Sequence, residues 1–295
     1  MKIPDVDPDV LRAALGGHLG SIDTILLAIQ PGVFNLSVRM LGNREDASDA
    51  TQEILLKVVT HLAGFRGEAA FSTWVHRVAR NHLLTALTRS KESPEVSLQA
   101  IAERLQVGLD LGASLPGAVS GDVSLTPEDK LAARQVALGC TQNMLMSLDR
   151  EQRLAYVLDT VFGLSSLQAA QVLEITSDAY RKRLSRARET LDPFVRATCG
   201  LVNADAACRC ERQLPALRHV APLRASGAPI SIAAVGRREL TEAEQHLGAL
   251  MRMSDAAAVF RAHPEFGAPE AMIDAVRGVL RAEGYWRTFD TPPLQ

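Results

Sequence analysis

Residues 165–188 read SSLQAAQVLEITSDAYRKRLSRAR, and the pattern of this stretch decides the fold. Ala169, Val172, Leu173 and Ile175 predict a short helix that ends on a turn. Thr176, Ser177 and Asp178 offer side-chain oxygens to cap a second helix. In that helix Tyr180, Leu184, Ala187 and Leu191 share one face, which is predicted to point inward. Arg181, Ser185 and Arg188 share another face, flanked by Lys182 and Arg186. From Ser177 to Thr190 five basic residues stand against two acidic ones. Two short helices at a tight turn, the second with a basic outer face, make a helix-turn-helix that can enter the DNA major groove. An amphipathic helix pair with a solvated basic face fits the same residues.

Upstream, residues 20–88 read as helix, apart from a break at Pro31-Gly32 and loops at Gly42-Asn43 and Gly64 to Glu68. Ala47, Ala50, Ile54, Val58 and Leu62 recur at helical spacing. Opposite them Asp46, Asp49 and Glu53 form an acidic stripe, with Gln52 beside it. Such a stripe suits water or a basic partner helix equally. The next helix lies in FRGEAAFSTWVHRVARNH, residues 65–82. Phe71, Trp74, Val75 and Val78 form its inward set, which draws Trp74 towards the core. Thr73, Arg77, Arg80 and Asn81 lie on another face, with His76 close by. Phe65 and Arg66, on the glycine-bounded loop, are freer to meet an extruded base. Between Arg66 and Lys91 there are five Lys or Arg and one acid, Glu68. Aromatics stack on unpaired bases and arginines neutralise phosphate, so this segment points to single-stranded DNA.

The chain of 295 residues has 47% hydrophobic and 22% charged residues and a net charge of −2. These values predict a globular protein whose nucleic-acid contacts are local patches. The fold class is mainly α. Residues 1–89 form a first small helical domain and residues 129–195 a second. Residues 90–128 are a Ser-, Pro- and Gly-rich linker with one short helix near Leu98 to Val107, and residues 196–295 are a mostly helical extension. Between Ser90 and Ser147 seven acidic residues face four basic ones. No run of 18 apolar residues predicts a membrane span, and the N-terminus lacks a secretory pattern. A cytoplasmic protein with reduced thiols is expected. There is no P-loop, dinucleotide fingerprint, HExxH or nucleophile elbow, so the chain reads as no enzyme and needs no cofactor for catalysis.

In this order, the parts resemble bacterial RNA polymerase sigma factors of the extracytoplasmic-function type, from about Asp23 to Phe194. MLGNREDASDATQEILLKVVTHLAGFRGEAAFSTWVHRVARN resembles sigma region 2. LDREQ followed by SSLQAAQVLEITSDAYRKRLSRARETL resembles region 4. The resemblance implies that Asp46, Asp49, Gln52 and Glu53 dock on the clamp coiled coil of core RNA polymerase. It implies that the loop Phe65 to Ala70, with Phe65 and Arg66, accepts a flipped base of the −10 promoter element. Arg77, Arg80 and Asn81 would hold the −10 strand. Arg181, Lys182, Arg183, Arg186 and Arg188 would read the −35 element. The implied partners are core RNA polymerase, promoter DNA and an anti-sigma factor, and the linker would thread towards the polymerase active-site channel. Glu174 stands at the turn where the family usually has Gly, which implies a slightly different turn. Rival readings are a one-component helix-turn-helix regulator with a metal- or redox-sensing tail, and a decoy that binds polymerase without promoters.

The extension is read as a cis-acting regulatory module that contacts the sigma core. Its residues include an extended stretch at 228–235, a helix whose capping box starts at Thr241 with Glu244, a His263-Pro264 break, and a helix from about Pro269 to Glu283. The chain has four cysteines, and Cys199, Cys208 and Cys210 give Cys-x8-Cys-x-Cys. Thiolates at this density suit Zn²⁺, with His219 or another group as fourth ligand, although structural zinc sites usually use Cys-x2-4-Cys. A Cys-x-Cys pair also suits metal or redox sensing. Three reduced, partly buried thiols fit the sequence as well.

Overall fold

Pro31 does not break its helix, contrary to the sequence expectation. Helix α2 runs unbroken from Leu19 to Leu41 with Pro31 inside it. Pro31 and Leu27, one turn earlier, are both exposed. The carbonyl that loses its partner to proline therefore faces water, where the loss costs least. The computed structural model describes residues 2–89, 97–115, 125–220, 255–261, 265–269 and 271–282. The expected features at 228–235, at Thr241 with Glu244 and at His263-Pro264 lie outside the described residues.

Contacts divide the chain into two compact units that cut across its linear order. The first joins Met1–Lys91, Phe162–Tyr180 and Glu265–Gln295. Within it α1 (Pro8–Leu15) and α2 pack together, and α2 packs on α3 (Arg44–Thr60) and α4 (Phe71–Arg89). Gly42 ends α2 in the left-handed conformation at φ 73°, and Asn43 then caps α3 by accepting from the Glu45 N–H at 2.8 Å. The two-residue connection therefore follows the sequence expectation. Ile22, Leu26, Ile29, Val33, Leu36 and Met40 of α2 are buried. By length and composition α2 could cross a membrane. Its heavy burial inside this unit identifies it as a core helix.

The second unit joins Glu92–Val161 and Arg181–Pro264. It contains α5 (Leu98–Ser114), α6 (Pro127–Met146) and α7 (Arg150–Tyr156), which continues into a π-helical turn at Val157–Val161. Arg153 is buried, and its guanidinium donates to the carbonyls of Leu145, Met146 and Leu148 at 3.0 to 3.1 Å. Leu145 and Met146 close α6 and Leu148 lies in the connection to α7, so Arg153 ties the end of one helix to the start of the next.

Helix α5 is longer than the sequence suggested, because its glycines are packing residues. It contacts the 3₁₀ turn Glu211–Gln213 and α10 (Leu214–Val220) of the extension. A Cβ at Gly108 would meet the Gln213 side chain at 2.0 Å, and one at Gly112 the Arg212 carbonyl oxygen at 2.7 Å. Gln213 also donates to the Leu105 carbonyl at 2.9 Å. Gly-x-x-x-Gly thus opens a shallow groove along one face of α5.

Candidate nucleic-acid interface

The loop after α3 leads the chain through Leu62–Gly64 to Phe65, with Gly67 at φ 71°. Phe65 stacks edge-on against Phe71 at 5.4 Å and Trp74 at 5.7 Å, which fixes the loop on the start of α4. Phe71 is buried, whereas Phe65 and Trp74 are half-buried and Arg66 is exposed. Together Phe65, Arg66, Trp74 and Arg77 line an open concavity of about 340 Å³, near the lower end of small-molecule clefts, about 300–1,000 Å³. Trp74, drawn towards the core by its spacing, also forms one wall of this concavity. Two aromatic faces and two guanidinium groups are the chemistry that holds an unstacked base and its phosphate.

The outer face of α4 is only partly open. Thr73 and His76 are buried, Arg77 and Arg80 are half-buried, and Asn81 is exposed. His76 lies edge-on to Phe162 at 5.7 Å and shares a hydrogen bond with the Ser72 carbonyl at 2.7 Å. Burial pushes its imidazole below the usual histidine range, against the opposing effects of Ser72 and Asp5.

Helix α8 (Ser166–Leu173) packs on α4. Ser165 and Gln168 form the reciprocal capping box that starts α8, at 3.3 and 2.9 Å. At its end, Arg77 donates from Nε to the Gln171 carbonyl at 2.9 Å. Arg80 pairs with the Glu174 carboxylate at 2.6 Å. A guanidinium there meets the negative end of the helix and its free carbonyls. Glu174 takes φ 54° and ψ 41°, so the turn keeps left-handed geometry despite lacking glycine. This corrects the expectation of a different turn. The residue accepts a strained backbone, and its side chain is the partner of Arg80.

The second helix of the motif, α9, spans Ser177–Thr198. Thr176 caps it by accepting from the Ala179 N–H at 3.2 Å. Tyr180, Leu184, Ala187 and Leu191 are all buried. Arg181, Lys182 and Arg186 are exposed. Arg183 pairs with Glu151 at 2.5 Å, and Arg188 with Asp159 at 2.6 Å. Three of the five basic residues are therefore exposed, and Arg183 and Arg188 are paired with α7 and its π-helical continuation. On α3, Asp46, Asp49 and Glu53 are exposed and Gln52 is half-buried.

Residues 26–92 match the family Sigma-70 region 2, and residues 138–191 match Sigma-70, region 4. The ECF RNA polymerase sigma-E factor of Haemophilus influenzae is 30% identical over 188 residues, covering 63% of this chain and 93% of that protein. The chain belongs to the ECF RNA polymerase sigma factors. Further relatives of this sigma factor are the RNA polymerase sigma-H factor of Pseudomonas aeruginosa and SigW of Bacillus subtilis. The first is 26% identical over 65% of this chain and 95% of the relative. The second is 28% identical over 54% and 80%. The sigma factor RpoE of Bartonella quintana, solved with the anti-sigma factor NepR, aligns at TM-score 0.38 and 19% identity over 58% of this chain and 94% of that one. Neither family match includes residues after Leu191, so the cysteines at 199–210 and the tail lie outside the sigma regions.

The tail returns to the first unit. Asn35, fully buried in α2, accepts from the Phe266 N–H at 2.7 Å and donates to the Phe266 carbonyl at 2.9 Å. Arg39, also fully buried, lies 4.9 Å from the Phe266 ring centre. Burial lowers the Arg39 pKa to about 9 against the opposing charge of Glu265, so it stays cationic at neutral pH. Arg44 donates to the Gly267 carbonyl at 2.5 Å. Helix α11 (Met272–Ala282) buries Met272, Ile273, Val276 and Leu280 and contacts α3, and Arg277 reaches Asp23 at 3.0 Å. Sequence reasoning missed these anchors, because Asn35 and Phe266 are separated by 231 positions.

Proposed function

We propose that this chain is an alternative sigma factor that keeps Arg77 and Arg80 of its −10 surface engaged until core RNA polymerase binds it. Asp46, Asp49, Gln52 and Glu53 dock on the polymerase clamp. The Phe65–Ala70 loop then takes a flipped base, with Phe65 and Arg66 as its contacts, while Arg77, Arg80 and Asn81 hold the strand. Arg181, Lys182 and Arg186 face the −35 element, and Arg183 and Arg188 orient the helix through Glu151 and Asp159. Unstacking a base costs a few kcal/mol per step, which capture in the concavity offsets.

The observation that carries the covered state is the Arg80–Glu174 ion pair. It joins the turn of the helix-turn-helix to the helix assigned to the −10 strand, while the acidic stripe on α3 stays exposed. A pair this accessible contributes at most about 1 kcal/mol. Polymerase needs only a comparable preference for the open form to release it. Docking therefore comes first and promoter contact second.

The test is transcription with reconstituted core polymerase, comparing the native chain with Glu174→Gly at limiting sigma factor. Glycine removes both the backbone strain and the carboxylate. Initiation should rise about fivefold, the equivalent of about 1 kcal/mol, without loss of thermal stability. Equal initiation by the two proteins contradicts the cover. Absence of promoter-specific transcripts from both contradicts the sigma reading itself.

A further inference from the structure

All four cysteines of the chain line one cavity. Cys140 comes from α6, Cys199 follows the last residue of α9, and Cys208 and Cys210 lie in the loop that leads to α10. The cavity is about 30 Å³, with apolar walls that include Leu105, Val136, Met144 and Val259. That volume suits one ion and excludes an organic ligand. We propose that Cys140, Cys199, Cys208 and Cys210 are the ligand set of a single site for a thiophilic d¹⁰ cation, Zn²⁺ in the first instance.

Backbone geometry brings the sulfurs to one side. Cys199 and Cys208 pair in an isolated parallel bridge, with the Gly200 N–H donating to the Cys208 carbonyl at 3.0 Å. Directly paired residues carry their side chains on the same face, which sets Cys199 beside Cys208. Cys210, in helical geometry at the start of the Glu211–Gln213 turn, and Cys140, from α6, line the same cavity. Gln213 donates from its amide nitrogen to Cys208 Sγ at 3.7 Å. Donors aimed at sulfur stabilise thiolate and are the outer shell that metal-bound cysteines use. As the side chains stand, no three Cys, His, Asp or Glu among the described residues are close enough to hold an ion. Binding therefore requires the four thiols to converge within the cavity they line.

The alternative fourth ligand fits less well. His219 is exposed and does not line the cavity. Cys140 therefore replaces it as the fourth ligand. Closed four-thiolate coordination is the ordinary form of a structural zinc site. It would fasten residues 199–210 to α6 and α9, and through Gln213 to the groove on α5.

The test uses the reduced, chelator-treated full-length protein, so it does not depend on transcription. Titration with Co²⁺ should give one equivalent with thiolate-to-metal charge-transfer absorption and tetrahedral d–d bands, displaced by Zn²⁺. Alkylation followed by mass spectrometry should find four cysteines protected by Zn²⁺. Cys140→Ser should lower Zn²⁺ affinity at least tenfold, and His219→Ala should leave it unchanged. Should Cys140→Ser fail to fold by circular dichroism, the protection count on the native chain decides alone. Three or fewer protected thiols, an unchanged affinity in folded Cys140→Ser, or a loss in His219→Ala would overturn the four-cysteine site.

Discussion

Single side chains in this protein hold long-range structure at identifiable cost. Arg153 satisfies three carbonyls at and just beyond the end of α6. Arg153→Ala leaves them without that donor and should destabilise the second unit by about 2–4 kcal/mol, read as a lower denaturation midpoint. A change under about 0.5 kcal/mol would mean that water takes over the three acceptors. Asn35 provides a different case. Its amide pairs with both backbone groups of Phe266, so Asn35→Ala should release residues 265–282 while α2 remains folded. Hydrogen exchange across Met272–Ala282 should accelerate, and unchanged protection there contradicts the role given to Asn35. Neither contact was legible in the sequence, since an Asn on an apolar helix carries no sign of a partner 231 positions away and an Arg does not show which nearby carbonyls it will meet. What was legible at this scale was local chemistry, as in the Ser165–Gln168 capping box, the Gly42-Asn43 connection and the buried series Tyr180, Leu184, Ala187 and Leu191.

At the scale of elements, the contact of α4 with Phe162 contains a pH-dependent group. His76 is buried with its pKa lowered, chiefly by desolvation. In the unfolded chain its pKa returns to about 6.5. The unfolded state then binds more protons between the folded value and about 6.5, so stability falls as pH drops through that window. Thermal stability of the native protein should decline below about pH 6.5, and His76→Phe should flatten that decline. Parallel pH profiles for the two proteins would contradict it. Helix α5 illustrates why elements were harder to read than side chains. Gly108 and Gly112 carry the composition of a linker, and only the close approach of Arg212 and Gln213 reveals them as packing positions. Likewise Pro31 reads as a break because sequence alone does not say which side of a helix meets water.

At the scale of the whole molecule, function is divided between surfaces that are open and surfaces that are covered. The acidic stripe of α3 is exposed, whereas Arg77 and Arg80 are engaged by α8 and the Glu174 turn. The two sigma regions and their order were legible because each rests on short-range periodicity and charge. The cover over α4 was not, because Arg80 and Glu174 are 94 positions apart. Reversing the stripe with Asp49→Lys and Glu53→Lys should leave folding stability within about 0.5 kcal/mol, as expected for exposed positions. It should weaken the complex with core polymerase at least tenfold in a direct binding assay. The central claim, that this chain directs polymerase to promoters, is tested most directly by sequencing the 5′ ends of transcripts made by core polymerase with and without it on genomic DNA. The account predicts discrete new start sites that share two sequence elements at fixed spacing. Start sites identical with and without the protein would contradict it.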